Sequence, residues 1–477
     1  MSKLTEWADG LSLSAGGRKL VGKAGIVPVR RLADKVGLTD ALSTALERRD
    51  FHPVHDRGGV LVSAALAVLL GARSIAGIAV MRQAALVLGR PASASTLYRT
   101  LDDIGPVQLA KITSARARVR SHVHDLLDLR PDGFPWIRVD NRPLTGWSVL
   151  DVDASFVPAH SEKEGAEPHR KGFGLHPLLV FLDNTDEHLV CRLRPGSAGA
   201  NTASDHIDVS TEAVRQLPTR RRRKILFRAD GAGATREWLA WITTGGGNKA
   251  PTWEYSVGWS RDADFWAGLV QVPEKAWTPA LDAKGQPRED AALVEITDLL
   301  DLGEWPPGLR IVVRREPVHP KYTKDLKPYE IATGFRYTVI ATNTVGRQLQ
   351  WLDVRHRAHA HVESGIRRSK ALTLLRLPSF KFALNQAWCT LLTLAMDLLS
   401  WLQLLALDGR LARAEPAAVR AGLLDVPAKL VDHARRRELK LDPAWPAAYE
   451  GRPLSPAGTG WRRWASALRD LAGSPVT

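Results

Sequence analysis

Trp147-Ser-Val-Leu-Asp-Val-Asp153 alternates with period two, the pattern of a β-strand. Side chains two residues apart share a face of a strand, so Asp151 and Asp153 point the same way. Downstream, Leu175-His-Pro-Leu-Leu-Val-Phe-Leu-Asp183 and His188-Leu-Val-Cys-Arg-Leu-Arg194 read as two more strands. The Asn184-Thr-Asp-Glu187 turn makes them a hairpin. Thr202 to Leu217 reads as a helix, Lys224-Ile-Leu-Phe-Arg-Ala229 as a compact strand, and Thr235 to Ile242 as a second helix. Asp230 ends that fourth strand, and Gly231-Ala-Gly233 turns the chain away and leaves its carboxylate unencumbered.

Strand, strand, strand, helix, strand, helix is the opening of a ribonuclease-H-like α/β layer. In such a sheet the first and fourth strands are neighbours, which sets Asp153 beside Asp230. Two carboxylates that close repel and raise a pKa unless a cation lies between them. Mg²⁺ suits such hard oxygen ligands, with Mn²⁺ as its substitute. A third carboxylate from a helix beside the sheet would complete a two-metal site for phosphoryl transfer.

On either side of this core the pattern changes. Residues 1–130 read as a helical region, followed by a linker at Arg130-Pro-Asp-Gly-Phe-Pro135. In it, Val29 to Gly37 and Leu38 to Leu46 are short helices, and Ser74 to Leu88 is a longer one ended by Gly89-Arg-Pro91. Ser93 then caps a helix through Leu101 that exposes Tyr98 and Arg99, which suits a helix-turn-helix reader of a major groove. The core's first part spans 145–248, a Trp- and Pro-rich β insertion 249–348, its second part 349–407, and a basic helical tail 408–477. The fold class is therefore α/β with helical flanks at both ends.

The chain has 477 residues, and its 66 Lys and Arg against 51 Asp and Glu leave a net charge of +15. Two cysteines, Cys191 and Cys389, exclude a disulfide framework and a cysteine zinc site. MSKLTEWADG lacks the apolar stretch of an export signal. The apolar run Ala383 to Leu407 is interrupted by Asn385, Gln386, Asp397 and Gln403, which reads as a buried helix rather than a membrane span. Three arginine clusters, at Arg116/Arg118/Arg120, Arg220 to Arg223 and Arg435 to Arg437, point to a polyanion partner. The reading is of a cytoplasmic, nucleoid-associated protein.

The third carboxylate is Glu363, in the helix-compatible run His356-Arg-Ala-His-Ala-His-Val-Glu-Ser-Gly-Ile-Arg-Arg-Ser-Lys370. His359, Glu363, Ile366, Arg367 and Lys370 share one face at helical spacing, a carboxylate flanked by cations. At this point several segments stand in a recognisable order: Leu150-Asp-Val-Asp-Ala-Ser-Phe156, Ala159-His-Ser-Glu-Lys-Glu-Gly165, Gly172-Phe-Gly-Leu-His-Pro-Leu-Leu179, Leu193-Arg-Pro-Gly196, Asn201-Thr-Ala-Ser-Asp-His206 and Arg228-Ala-Asp-Gly-Ala-Gly233. Together with Phe51 to Gly58 and Ala341-Thr-Asn343, they resemble the DDE transposases of bacterial insertion sequences, specifically the insertion-sequence thirteen-eighty family.

The resemblance runs from about residue 25 to 410 and implies Asp153, Asp230 and Glu363 as a Mg²⁺-holding catalytic triad. Asp151 is the rival for first place, although an Asp followed two residues later by Ser or Thr favours Asp153. The last helix departs from the relatives' pattern. Lys370 matches their lysine, but His359 stands where arginine is expected, His356 where tyrosine is expected, and Ser364-Gly365 replace charged residues. Lys163 in the His160 to Lys171 loop, Arg357, His359, Arg367 and Lys370 are the expected DNA contacts near the site, the loop being a mobile flap. Trp305 is the choice for stacking on an extruded end base. The implied activity is cut-and-paste transposition on double-stranded terminal repeats and target DNA by a homodimer, with no membrane partner. The rival reading is a catalytically silent DNA-binding derivative.

Overall fold

The computed structural model describes residues 18–49, 51–247, 252–282, 285–319, 326–433 and 436–441. The MSKLTEWADG start, Arg435 and the tail beyond residue 441 lie outside these described residues.

A mixed nine-stranded sheet organises the molecule. Its strands are β1 (Ser148–Ala154), β2 (Leu178–Leu182), β3 (Glu187–Arg192), β4 (Lys224–Ala229), β5 (Thr252–Gly258), β6 (Thr278–Leu281), β7 (Pro287–Glu295), β8 (Arg310–Pro317) and β9 (Phe335–Thr342). They lie in the order β6-β7-β8-β9-β5-β4-β1-β2-β3. β1, β4 and β5 run parallel, β2 is antiparallel to β1, and β3 is antiparallel to β2. The β-rich 249–348 segment is therefore no separate layer. β5 pairs with β4, and β9 joins β5 to β8, so the segment extends the same sheet. Runs such as Arg310-Ile-Val-Val313 are buried on both faces, which an edge-on insertion would not need.

Period-two alternation sorts the core into two faces. Leu150, Val152, Val180, Phe227 and Ala229 pack under α6 (Ala203–Gln216) and α7 (Arg236–Thr243), including Val209, Ala213, Trp238 and Leu239. Leu179 and Phe181 face the opposite way and join a core that includes α9 (His361–Ser369) and α10 (Phe382–Ala406). That core continues into the N-terminal helices α1 (Ile26–Lys35), α2 (Leu38–Leu46), α3 (Arg57–Leu69), α4 (Ala94–Asp102) and α5 (Pro106–Asp128). Gly37 takes φ 79°, which lets α2 start directly after the turn. Ser93 caps α4 as expected, its side chain accepting from the Thr96 N–H. The expected Ser74 to Leu88 α-helix is instead a 3₁₀ helix over Ile75–Ala84 with one α turn at Ala85–Leu88.

α10 is long and apolar enough, by length and composition, to cross a membrane, with mean hydropathy 1.6, yet 78 % of that window is buried inside the protein. The polar residues that interrupt it all have tertiary partners. Asp397 accepts from Arg116 at 2.8 Å and Arg120 at 2.7 Å, both on α5. Gln386 closes the open edge of β3, accepting from Leu193 N–H and donating to the Cys191 carbonyl. Asn385 bonds Ser379, and Gln403 accepts from Arg368.

The arginine clusters consequently divide. Arg116 and Arg120 are buried ties rather than a polyanion surface, Arg120 also meeting Glu187 at 2.8 Å. Arg221 is buried, over the Phe134 ring at 3.9 Å, while Arg220 pairs with Asp125 and Asp128. Arg118 is exposed. The described part of the tail is not helical throughout. Ala428–His433 and Arg436–Leu441 form a β-hairpin that pairs with Leu20–Val21, consistent with the alternating Leu430, Leu439 and Leu441.

Candidate active site

Parallel pairing sets β4 beside β1 with Arg228 opposite Asp151 and Ala229 opposite Val152. Continuing that register by one residue brings Asp230 beside Asp153. Burial, and then the charge of Asp230, push the Asp153 carboxyl up to about 6. Asp153 accepts from the Ala154 N–H at 2.7 Å, and Asp230 from the Ala232 N–H at 2.9 Å. An added Cβ at Gly258 would come within 2.7 Å of the Gly231 nitrogen, so glycine is what lets the end of β5 close against the Asp230 turn. The two carboxylates line an open cleft of ≈ 640 Å³ whose wall includes His169, Arg170, Lys171, His176 and His206.

Asp151 is a different kind of residue. It is 1 % exposed and takes a two-pronged contact from Arg228, at 2.7 Å to each oxygen. His359 Nδ1 lies 2.8 Å from the same carboxylate. Burial alone would raise its pKa, but Arg228 and then His359 outweigh that and hold it below the ordinary carboxylate range. Arg228 also donates to Asp183 at 2.6 Å, and His361 Nδ1 sits 3.1 Å from Asp183. Asp151, Arg228, Asp183, His359 and His361 thus form one network tying β1, β4 and the end of β2 to α9. Its saturation leaves Asp153 as the first-strand carboxylate open to the cleft.

Sequence reasoning did not find Arg228, Asp183 or His361. The signal was present: an arginine inside the otherwise apolar Lys224–Ala229 run can be buried there only with an acid opposite it. His206 is a further unanticipated cleft residue. It is 3 % exposed, its Nδ1–H donates to the Thr202 carbonyl at 3.0 Å, and burial lowers its pKa.

The expected site residues separate into those that converge and those that do not. α9 covers the face of β1 from which Asp151 and Asp153 project, and Gly365 lies directly on Phe181, the cross-strand partner of Asp151. Lys370, half-buried at the end of α9, has its pKa lowered by burial and then by Lys171, with Asp153 opposing. Glu363 is exposed. Among the described residues, no three His, Cys, Asp or Glu side chains are gathered closely enough to hold a metal ion. Asp153 and Asp230 fit a divalent cation as a pair of hard oxygen donors, and Glu363, the expected third ligand, is not gathered with them. The helix-compatible run His356 to Lys370 is also not one helix; it is divided among α8 (Leu349–Arg357), a 3₁₀ turn at Ala358–Ala360, α9 and a π turn at Lys370–Leu374.

Four expected DNA contacts have partners within the protein. His359 is only 13 % exposed in its side chain and is held by Asp151. Arg357 meets Asp353 at 3.0 Å and the Leu281 carbonyl, on the far side of the sheet's extension. Lys163 donates to the Ser379 carbonyl at 3.1 Å and lies over Phe380. Arg367 is exposed and pairs with Glu415 at 2.7 Å. Tyr98 and Arg99 are exposed on α4. Trp305 is half-buried, its ring centroid 4.3 Å from that of Trp259, which directly follows Gly258 at the Asp230 turn.

Residues 8–453 match the family described as Transposase DDE domain group 1. A solved structure similar to this one is the piggyBac transposase synaptic complex with hairpin DNA, determined by cryo-electron microscopy. It is 8 % identical, with a TM-score of 0.35, and the match covers 95 % of this chain and 83 % of that one. No curated protein matches the sequence.

Proposed function

The chain belongs to the DDE transposase family, domain group 1, and from that premise we propose that it cuts insertion-sequence ends and joins them to target DNA in a Mg²⁺-dependent reaction. Asp153 and Asp230 hold the cation, and Glu363 is the third ligand. The observation that carries this reading is the pairing of those two aspartates at the ends of adjacent parallel strands, with Asp153 pushed up to about 6 by burial and Asp230. Such a raised value marks two carboxylates arranged for a shared cation rather than for each other. The strand order β3-β2-β1-β4-β5, with only β2 reversed, supports a ribonuclease-H-like core. The motif order in the sequence favours the insertion-sequence thirteen-eighty group.

When bound, the cation supplies Lewis-acid stabilisation of charge on the phosphoryl oxygens. The chain's own residues do the positioning. The Arg228 network fixes β1 against β4, so that both aspartates hold their separation through successive strand cleavages. The same network anchors α9 through His359 and His361, which sets the helix bearing Glu363 over the carboxylate face. The exposed Tyr98 and Arg99 on α4 read the terminal repeat, and a dimer pairs two ends on double-stranded DNA.

A second reading is a silent DNA-binding derivative of such an enzyme. It is favoured by one observation, the exposure of Glu363 apart from any gathered set of three ligands. Incubating the protein with a duplex carrying its element's end, with Mg²⁺, with Mn²⁺ and with chelator, separates the two. Metal-dependent nicking at the element boundary is the expected result. Tight end binding with no nicking in either metal selects the silent reading.

A further inference from the structure

Several arginines of the sequence's basic clusters are already paired within the protein. Arg116, Arg120, Arg220 and Arg221 have carboxylate partners, as do Arg228 and Arg355 elsewhere in the sheet. Arg170 and Lys171 are different. Both are exposed, both line the cleft that holds Asp153 and Asp230, and neither has a carboxylate partner among the described residues. Cations without a carboxylate partner at the cleft wall are available to an anionic ligand.

They are also held rigidly. The His160 to Lys171 loop, expected as a mobile flap, is built into a three-stranded sheet of Val157–Pro158, Gly172–Leu175 and Glu167–His169. His169 stacks on Phe156 at 4.8 Å and packs against His176 at 4.7 Å. The Lys171 N–H donates to His169 Nδ1 at 3.1 Å, which fixes the turn from inside. Gly172 takes φ 129°, a backbone conformation that favours glycine, and so sets the chain direction just after Lys171. At the base, the Glu164 N–H donates to the Phe380 carbonyl at 2.9 Å, and the Glu164 carboxylate accepts from the Phe382 N–H at 2.7 Å. The hairpin is braced along its strands and at its base.

We propose that Lys171, supported by Arg170, grips the phosphodiester facing Asp153 and Asp230, with Lys370 close by. This rests on the transposase reading and names the protein group that would hold the scissile phosphate in it. The electrostatic influence of both Lys171 and Asp153 on Lys370 agrees with that placement. A pre-positioned cation orients the phosphate without ordering a loop on binding, which preserves affinity for alignment.

The test compares wild type, Lys171→Gln, Lys171→Arg and Arg170→Gln on a fluorescent duplex carrying the end of the protein's own element. A second duplex has an uncharged methylphosphonate at the scissile position. Binding is measured with chelator present, and single-turnover cleavage with Mg²⁺. Lys171→Gln is expected to weaken binding of the charged duplex about tenfold, the scale of one charge-assisted contact. Lys171→Arg should recover most of that, and Arg170→Gln should cost less. On the methylphosphonate duplex, wild type and Lys171→Gln should bind alike. Equal losses for Lys171→Gln on both duplexes, or no loss on either, overturn the proposal. Wild type that binds but never cuts sinks the cleavage reading, while the binding comparison still decides Lys171. Wild type that does not bind the duplex at all sinks both. Lys171 is exposed, so unchanged thermal midpoints for its variants are expected and assign any loss to binding.

Discussion

The interior behind the cleft and the cleft itself use the same residue types to opposite ends. Two residues apart on one strand, Asp151 is saturated by Arg228 and His359 and held below the ordinary carboxylate range, while Asp153 meets Asp230 and is pushed up to about 6. In the interior every charge has a fixed partner, so the network contributes geometry. In the cleft, like charges and unpaired cations are held a short distance apart by that geometry, so they remain available to a ligand. The lesson is that a charged side chain's role here depends on which end of the strand it occupies.

Removing a partner from the interior should have the largest effect. Arg228→Met leaves Asp151 and Asp183 buried without their cation, and is expected to cost about 3–5 kcal/mol in urea unfolding. A loss under ~1 kcal/mol would mean that the network is not the fastening described.

Asp153→Asn and Asp230→Asn should do the reverse. Cleavage should fall by roughly 10²–10³-fold or more, the scale of lost transition-state charge stabilisation, while end binding persists on phosphate contacts elsewhere. The thermal midpoint of the metal-free protein should not fall, because ionised Asp153 is disfavoured in the fold. If D153N still cuts while D151N does not, the division between the two aspartates is wrong.

Acidity sharpens the same contrast. Asp153 is raised in the folded state, so its contribution to stability is present below about pH 4, the ordinary aspartate range, and is lost as pH rises through about 6. Asp151 is lowered, so its contribution is present above the ordinary range and lost as pH falls below it. Wild type measured against D153N, metal-free, should therefore lose relative stability between about pH 4 and 7. Mg²⁺ binding followed by calorimetry should weaken about tenfold per pH unit below about 6, as one proton competes for the site. A relative stability independent of pH would remove the Asp153–Asp230 repulsion from the account.

Away from both regions the effects shrink. Arg99→Ala or Tyr98→Ala should reduce the preference for the element's end over unrelated duplex by about 1–3 kcal/mol per lost base contact, with little change in the salt dependence. An unchanged preference would remove α4 as the reader. Arg367→Ala, which breaks only an exposed pair with Glu415, should change stability by less than about 1 kcal/mol in the same urea titration.

Periodicity alone placed every strand from β1 to β4 within a few residues, because alternation in a sheet is a local property. It also put Asp151 and Asp153 on one face and Asp230 at the end of the neighbouring strand, with the family pattern favouring Asp153 over Asp151. The Ser93 cap and α10 were legible for the same local reason. What stayed hidden was pairing. Nothing near Arg116 or Arg120 announces Asp397, some 280 positions away along the chain, and an arginine bound for the interior has the same local pattern as one bound for DNA. Nor could spacing tell that His359 would meet Asp151, or that Lys163 would lie on Phe380 while Lys171 lined the cleft. A helical run specifies which residues share a face, and only packing decides what that face meets. The sequence by itself determined the strand pattern, the candidate acids and the family signature, because these rest on local periodicity and residue order. The tertiary structure decided which charges are cancelled and which remain open, because electrostatic energy depends on distance and burial rather than on position in the chain.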